Sequence, residues 1–296
     1  VRRGATTSQI LRGLEKRGVL RDWFFPVVYV KALRRDLRPK AGLYQFEGAL
    51  SPLEVLDRLG RGESLMIQVT VREGLDRFAV AKLMAEEELG SEKEWLALTA
   101  DPSLVEDIAP EATSLEGYLF PDTYRFSPGT APKVIIEEMV KNFRKHFGNE
   151  LAYIDTGFTV HQTVTLASIV ETEAQLDAER PLIASVYRNR LKKRMLLQAD
   201  PTVIYAMKIA GTWNGNIRKD DLRMSSPYNT YARLGLPPGP IASPGLASLR
   251  AAANPSESDM LYFVARNDGS HVFARNLDEH NRNVAEWQKR YWRDRR

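Results

Sequence analysis

Two glutamates, Glu171 and Glu173, close the run "TLASIVETEA" at residues 165–174, which is otherwise apolar and helical in spacing. A carboxyl group among apolar neighbours is a candidate general acid, because removal from water disfavours its charged form. If burial lifts one of them from ~4.3 to ~6, the cost is about 2.3 kcal/mol, and its protonated fraction at pH 7 climbs from roughly 0.2% to roughly 10%. A helical wheel started at Val160 gathers Val164, Leu166, Ala167, Ile169 and Val170 on one broad apolar arc, with Thr165, Ser168 and Thr172 opposite. Glu171 falls near about 20° and Glu173 near about 220°, both toward packed structure, so the wheel does not choose between them. The competing expectation is structural: each glutamate pairs with an arginine such as Arg180, Arg188 or Arg190.

Other chemistry is thinly represented. The four histidines, His146, His161, His271 and His280, stand in no HExxH pattern and beside no G-x-S-x-G nucleophile. His271 reads as a hairpin residue and His280 as a helix-surface one. No metal site, glycine-rich phosphate loop or cofactor is expected. The absence of cysteine excludes disulfides, thiol catalysis and cysteine-ligated metals. Asp200 reads as a helix cap. The cluster "SPYNTY" (226–231) stands beside the stiff loop "GLPPGPIASPG" (235–245). Its tyrosines and amide suit sugar, since aromatic rings stack on sugar faces and amides hydrogen-bond acetamido groups.

Positioning these groups requires a folded core, and the chain can build one. Of 296 residues, 43% are hydrophobic and 27% charged, as in soluble globular proteins. The net charge is +4, with part of the excess in the tail "KRYWRDRR" (289–296). Acidic and basic residues alternate elsewhere, so no nucleic-acid-binding stripe is expected. An anionic polymer or membrane surface would suit the same charge. The densest apolar stretch, "WFFPVVYV" (23–30), is interrupted by Pro26 and far shorter than the ~20 residues needed to span a bilayer. The chain opens on Val1, so a longer protein with a trimmed anchor is expected.

The elements follow from caps and periodicity. "TTSQILRGLEKRG" (6–18) and "LSPLEVLDRLGRG" (50–62) read as short capped amphipathic helices, the second with Ser51 as N-cap and Pro52 at N1. "GLYQF" (42–46) and "LMIQVTV" (65–71) read as strands. Residues 1–73 thus form a small α+β unit. Helices are expected over 76–88, 131–147, the glutamate run and about 180–194, with a strand or extended loop at 115–126. Asp200-Pro201 opens another helix with Asp200 as N-cap. Ser243-Pro244 caps one that stops before Asn254-Pro255. Residues 261–275 form a β-hairpin around Asp268-Gly269, and Asn276 with Glu279 starts the last helix.

Taken together, "EGYLFPDTY", "LASIVETEA", "LQADPTVIYA", "SPYNTY", "GLPPGPIASPG" and the hairpin "YFVARNDGSHVFARNLDEHN" resemble the endolytic murein transglycosylases, the MltG/YceG-like family, from about Gly42 to the end. The resemblance implies an α+β protein: a LysM-like module at 1–73, then a larger mixed, helix-rich catalytic domain at 74–296 that carries the hairpin. It implies a lyase that cuts the MurNAc-β-1,4-GlcNAc bond of peptidoglycan endolytically and leaves 1,6-anhydro ends, without cofactor or metal. The family's "SIVEKE" pattern matches Glu171 as the catalytic glutamate and Glu173 as its support, with Thr172 in place of the usual lysine. Glu116, Gln198, Tyr228, Asn229 and Tyr231 become expected glycan contacts, and loop 235–245 and segment 115–124 expected cleft walls. The expected partners are glycan strands, cell-wall synthases and, through a single-pass N-terminal anchor, the cytoplasmic membrane, with the catalytic domain on its outer side. The alternatives are a hydrolytic muramidase and a non-catalytic wall-binding scaffold.

Overall fold

The structure is a computed structural model that describes residues 1–2, 4–33, 37–47, 50–151 and 153–290. The end of the basic tail, 291–296, lies outside the described residues. Helices α1 (Thr7–Lys16), α2 (Phe24–Leu33) and α3 (Pro52–Arg61) lead to strand β1 (Ile67–Val71). Helices α4 (Arg77–Glu86) and α5 (Glu92–Thr99), strand β2 (Asp122–Phe126) and the long α6 (Pro132–Glu150) follow. Then come α7 (Val160–Glu173), α8 (Arg180–Lys192), α9 (Asp200–Ile209) and α10 (Leu246–Ala253), the hairpin β3 (Tyr262–Ala265) and β4 (His271–Ala274), and α11 (Leu277–Val284). The fold is a mixed, helix-rich α+β structure that has, among the described residues, two small sheets, β1–β2 and β3–β4. No helix among the described residues is long and apolar enough to cross a membrane.

The chain divides into two compact units, 1–69 with 123–131, and 70–122 with 132–296. In the first, Thr6 and Ser51 close capping boxes with Gln9 and Glu54, so two donors at each helix start are satisfied reciprocally. The apolar stripes Ile10, Leu11, Leu14 and Val55, Leu56, Leu59 meet Leu20, Val27 and Val30 in one core. The run around Pro26 is helical. Proline lies in the first turn, where its missing N–H costs nothing, and Asp22 accepts hydrogen bonds from the Phe24 and Phe25 N–H groups. The strand expected at 42–46 does not form. The segment lacks strand assignment: Leu65 N donates to Leu43 O, and Gly42 exchanges backbone bonds with Val1, but these do not extend into a ladder along 42–46.

In the second unit α7 is the central element, packed by α8, α9 and α10. The face expected to be polar is buried as well: Thr165 is 1% exposed and Ser168 0%. Their hydroxyls are satisfied internally, Thr165 Oγ1 donating to His161 O and Ser168 Oγ to Thr165 O. Two expected caps shift by one or two residues. Asp200 is the first helical residue of α9, whose N-cap is Ala199. The N-cap of α10 is Gly245, while Ser243 is buried and pairs its backbone with Gly74 and Leu75. The hairpin pairs Tyr262 with Ala274 and Ala265 with His271, and Asn276 caps α11 by accepting from Glu279 N.

Candidate active site

Helix α7 starts at the Thr159–Gln162 capping box and ends where Ala174 turns extended. Both glutamates therefore stand in its last turn, and their surroundings differ. Glu171 is buried. Arg180 Nη1 donates to its Oε1 at 2.9 Å, and the Gly245 N–H at the start of α10 donates to its Oε2 at 2.9 Å. Arg180 also donates to Asp177 Oδ1 and Ser248 Oγ. Glu73 stands alongside. A Cβ on Gly245 would come within 1.8 Å of its Oε1, so only glycine leaves room for that carboxyl. Burial, then the neighbouring Glu171, raise the Glu73 pKa.

Glu173 faces the other way. It lines a cavity of about 400 Å³ together with Arg190, Gln198, Asp200, Tyr231 and His280, floored by Leu197, Phe263 and Val264. The Tyr187 hydroxyl donates to Glu173 Oε1 at 3.0 Å. Burial pushes this carboxyl up to about 7, and Asp200 pushes the same way, against the Tyr187 hydrogen bond and the Arg190 charge. Near pH 7 about half of such groups carry a proton, which is the condition a general acid needs.

The residues expected to touch glycan separate into two groups. Gln198 and Tyr231 join Glu173 in the cavity wall. Gln198 holds a left-handed backbone, φ 51°, while its N–H donates to Thr230 O. Tyr231 donates its hydroxyl to Asp200 Oδ1 at 2.5 Å. Glu116 and Asn229 are not among the residues that line this cavity. Glu116 is 2% exposed and accepts from the Arg77 N–H and the Tyr205 hydroxyl, and burial pushes it up to about 7. Asn229 is 0% exposed, donating to Leu222 O and Met224 O and accepting from Tyr231 N, so it shapes the turn that presents Tyr231. Tyr228 packs edge-on against Tyr205, with ring centroids 5.0 Å apart, away from the cavity.

Neither expected cleft wall lines the Glu173 cavity. Residues 115–121 are almost wholly buried, and loop 235–245 packs its second half onto α7. Ser168 Oγ accepts from Ile241 N, and His161 Nε2 meets Pro238 O at 2.8 Å. A carbonyl only accepts, so Nε2 donates; in the neutral imidazole Nδ1 then accepts from the Tyr118 hydroxyl, 2.8 Å away. The loop is a brace behind the helix, not a wall of the Glu173 cavity.

Sequence reasoning did not single out Tyr187, Phe263 and His280 as site residues. Nothing local marks them: the hairpin and the last helix bring two of them in from about 90 residues or more downstream of Glu173. Of the arginines offered as partners, Arg180 binds Glu171, Arg190 supports the Glu173 cavity through Leu197 O and Leu261 O, and Arg188 bonds Thr156 O. Among the described residues no cluster of His, Asp and Glu could hold a metal ion.

The family model described as the YceG-like family matches residues 1–286. Over 296 aligned residues the chain is 36% identical to the endolytic murein transglycosylase of Bacillus subtilis (strain 168), covering 94% of this chain and 81% of that one. It is 34% identical over 316 residues to the endolytic murein transglycosylase of Streptococcus pneumoniae serotype 2, covering 96% of this chain and 57% of that longer one. Its structure is similar to the crystal structure of a yceG-like protein from Listeria monocytogenes, with TM-score 0.65, 33% identity, and 96% and 97% of the two chains covered.

Proposed function

The chain belongs to the YceG-like family, and from that premise we propose that it is an endolytic murein transglycosylase, a lyase acting on peptidoglycan, with Glu173 as its acid and base. One observation carries the choice of residue: Glu173 lines a cavity, with its carboxyl pushed up to about 7. The family resemblance points to Glu171 instead. That carboxylate has both oxygens committed, to Arg180 and to Gly245 N, and in this reading it fastens the end of α7 to α10.

The chemistry then needs a single carboxyl group. Protonated Glu173 gives its proton to the glycosidic oxygen as the C1–O bond breaks, and the bonding pair leaves with that oxygen. The Glu173 carboxylate next takes the proton of the MurNAc C6 hydroxyl, whose oxygen closes on C1 of the same sugar. A 1,6-anhydro ring forms and no water is consumed. Ordinary glycosidases divide these duties between two carboxylates. Here the substrate's own hydroxyl replaces water at high effective concentration. Tyr187 and Arg190 steady the carboxylate between the two proton transfers, and Gln198 and Tyr231 offer an amide and a ring to the sugar.

The test is digestion of purified peptidoglycan followed by mass analysis. Anhydro ends are one water lighter than the reducing ends a hydrolytic muramidase leaves, and Glu173→Gln should release neither. In the same reading residues 1–73 serve as a LysM-like wall-binding module. An N-terminal anchor holds residues 74–296 on the outer face of the cytoplasmic membrane, where cell-wall synthases are the protein partners. These roles rest on the motif resemblance. Fractionation and protease accessibility of the full-length protein in cells test them, and a soluble, protease-protected protein would contradict them.

A further inference from the structure

The Glu173 cavity holds a second carboxylate that the mechanism above does not use. Asp200 lines it at the first turn of α9. The ordinary reading of an aspartate there is favourable contact with the helix start, yet its side chain makes no capping bond. Its Oδ1 instead accepts the Tyr231 hydroxyl at 2.5 Å. The segment carrying it is stitched to the Tyr231 turn at several points: Gln198 N donates to Thr230 O, Ala199 N to Thr230 Oγ1, and the Thr202 and Thr230 hydroxyls pair at 2.9 Å. These bonds hold Gln198 at φ 51°, a conformation that non-glycine residues rarely adopt and that clusters at functional sites. Two cross-linked loops, one of them strained at Gln198, thus present one negative charge to the acid.

We propose that Asp200 is a positioning residue of the transglycosylation: fixed by Tyr231 in the cavity wall, its charge keeps the proton on Glu173 until the glycosidic oxygen takes it, and then makes the Glu173 carboxylate the stronger base toward the C6 hydroxyl. The inference rests on Glu173 being the acid. The groups that face Glu173 are Tyr187 and Arg190 from α8, Asp200 from α9, Tyr231 from the preceding turn of 226–231, and His280 from α11. Arg190 opposes Asp200. It is engaged with Leu197 O and Leu261 O and stacked on Tyr262. Burial and Arg190 lower the pKa of His280, so it is neutral over the alkaline range and adds no charge there. Removing the Asp200 charge therefore leaves Arg190 unopposed and favours early loss of the Glu173 proton.

The measurement is kcat/KM for anhydro-product release between pH 5.5 and 8.5, which reports the free enzyme's essential groups. Asp200→Asn keeps an acceptor for the Tyr231 hydroxyl and deletes only the charge. The alkaline limb should move down by about 0.5 pH unit or more, so that the ratio of kcat/KM at pH 8.5 to that at pH 5.5 falls about threefold against the parent. Asp200→Glu should restore most of that ratio, and Tyr231→Phe, which frees the carboxylate, should lower it less than Asp200→Asn. A merely structural Asp200 would lower activity equally at every pH. An unmoved limb in folded Asp200→Asn overturns the proposal, and if that variant does not fold, an unmoved limb in Tyr231→Phe overturns it. Cleavage retained by Glu173→Gln would instead remove the underlying assignment, whatever the Asp200 variants do.

Discussion

Arg180 and Gly245 reach Glu171, and Tyr187 and the cavity reach Glu173, although the two carboxyls are separated by one residue on one helix. At this scale environment, not residue type, decides the role. Glu173→Gln is nearly isosteric and should fold with the parent's thermal midpoint while product release falls by at least about 10³-fold, consistent with losing acid and base together; residual release within tenfold of the parent would remove Glu173 from the chemistry. Glu171→Gln should still release product within about tenfold of the parent, a change of about 1.4 kcal/mol or less in the barrier. Arg180→Met leaves a carboxylate with 5% side-chain exposure without its partner, and should cost about 3 kcal/mol or more of stability in urea titrations. Gln198 and Tyr231, singled out through the motif resemblance, do line the cavity beside Glu173. The choice between Glu171 and Glu173 was not legible in the sequence, because a wheel reports direction toward packed structure and cannot tell a filled interior from a cavity.

Among the elements, the capped starts of α1, α3 and α11 and the hairpin could be read directly, since caps and turns are local chemistry. The segment at 42–46 has the composition of a strand, but its backbone bonds to Val1 and Leu65 do not continue into a ladder, and pairing is a tertiary fact. Helix α7 misleads for a related reason: its threonines and serine bond within the helix, so a face that looks polar is buried. The brace behind it is specific at Gly117, where φ is +84° and an added Cβ would lie 2.5 Å from Pro240 Cβ and 2.9 Å from Val164 Cγ1. Gly117→Ala should therefore cost about 2 kcal/mol or more from backbone strain and clash together. Hydrogen exchange should show faster opening in 235–245, and unchanged protection there would contradict the role of the loop as a brace.

For the molecule as a whole, stability should depend on pH through its buried carboxyls. Glu116 rises from 4.5 to about 7 in the folded chain. A raised folded-state value means the folded protein binds the proton more tightly than the unfolded one. The stabilisation is then complete below about pH 4.5 and lost as pH rises through about 7. At ~1.36 kcal/mol per unit it is on the order of 3 kcal/mol. Glu173 contributes in the same direction. Urea midpoints should fall between pH 5 and pH 8, and fall less in Glu116→Gln; equal falls in the two proteins would contradict the assignment. Caps and periodicity announce the mixed α+β class at this scale, but the division into 1–69 with 123–131 and the remainder depends on a chain return that no local pattern announces.

The most direct measurement pairs the parent with Glu173→Gln on intact glycan strands and weighs what is released. The expected result is fragments one water lighter than reducing-end sugars from the parent and none from the variant. Reducing ends from the parent, or anhydro fragments from the variant at a comparable rate, would contradict the central claim that one carboxyl on α7 gives and reclaims the proton.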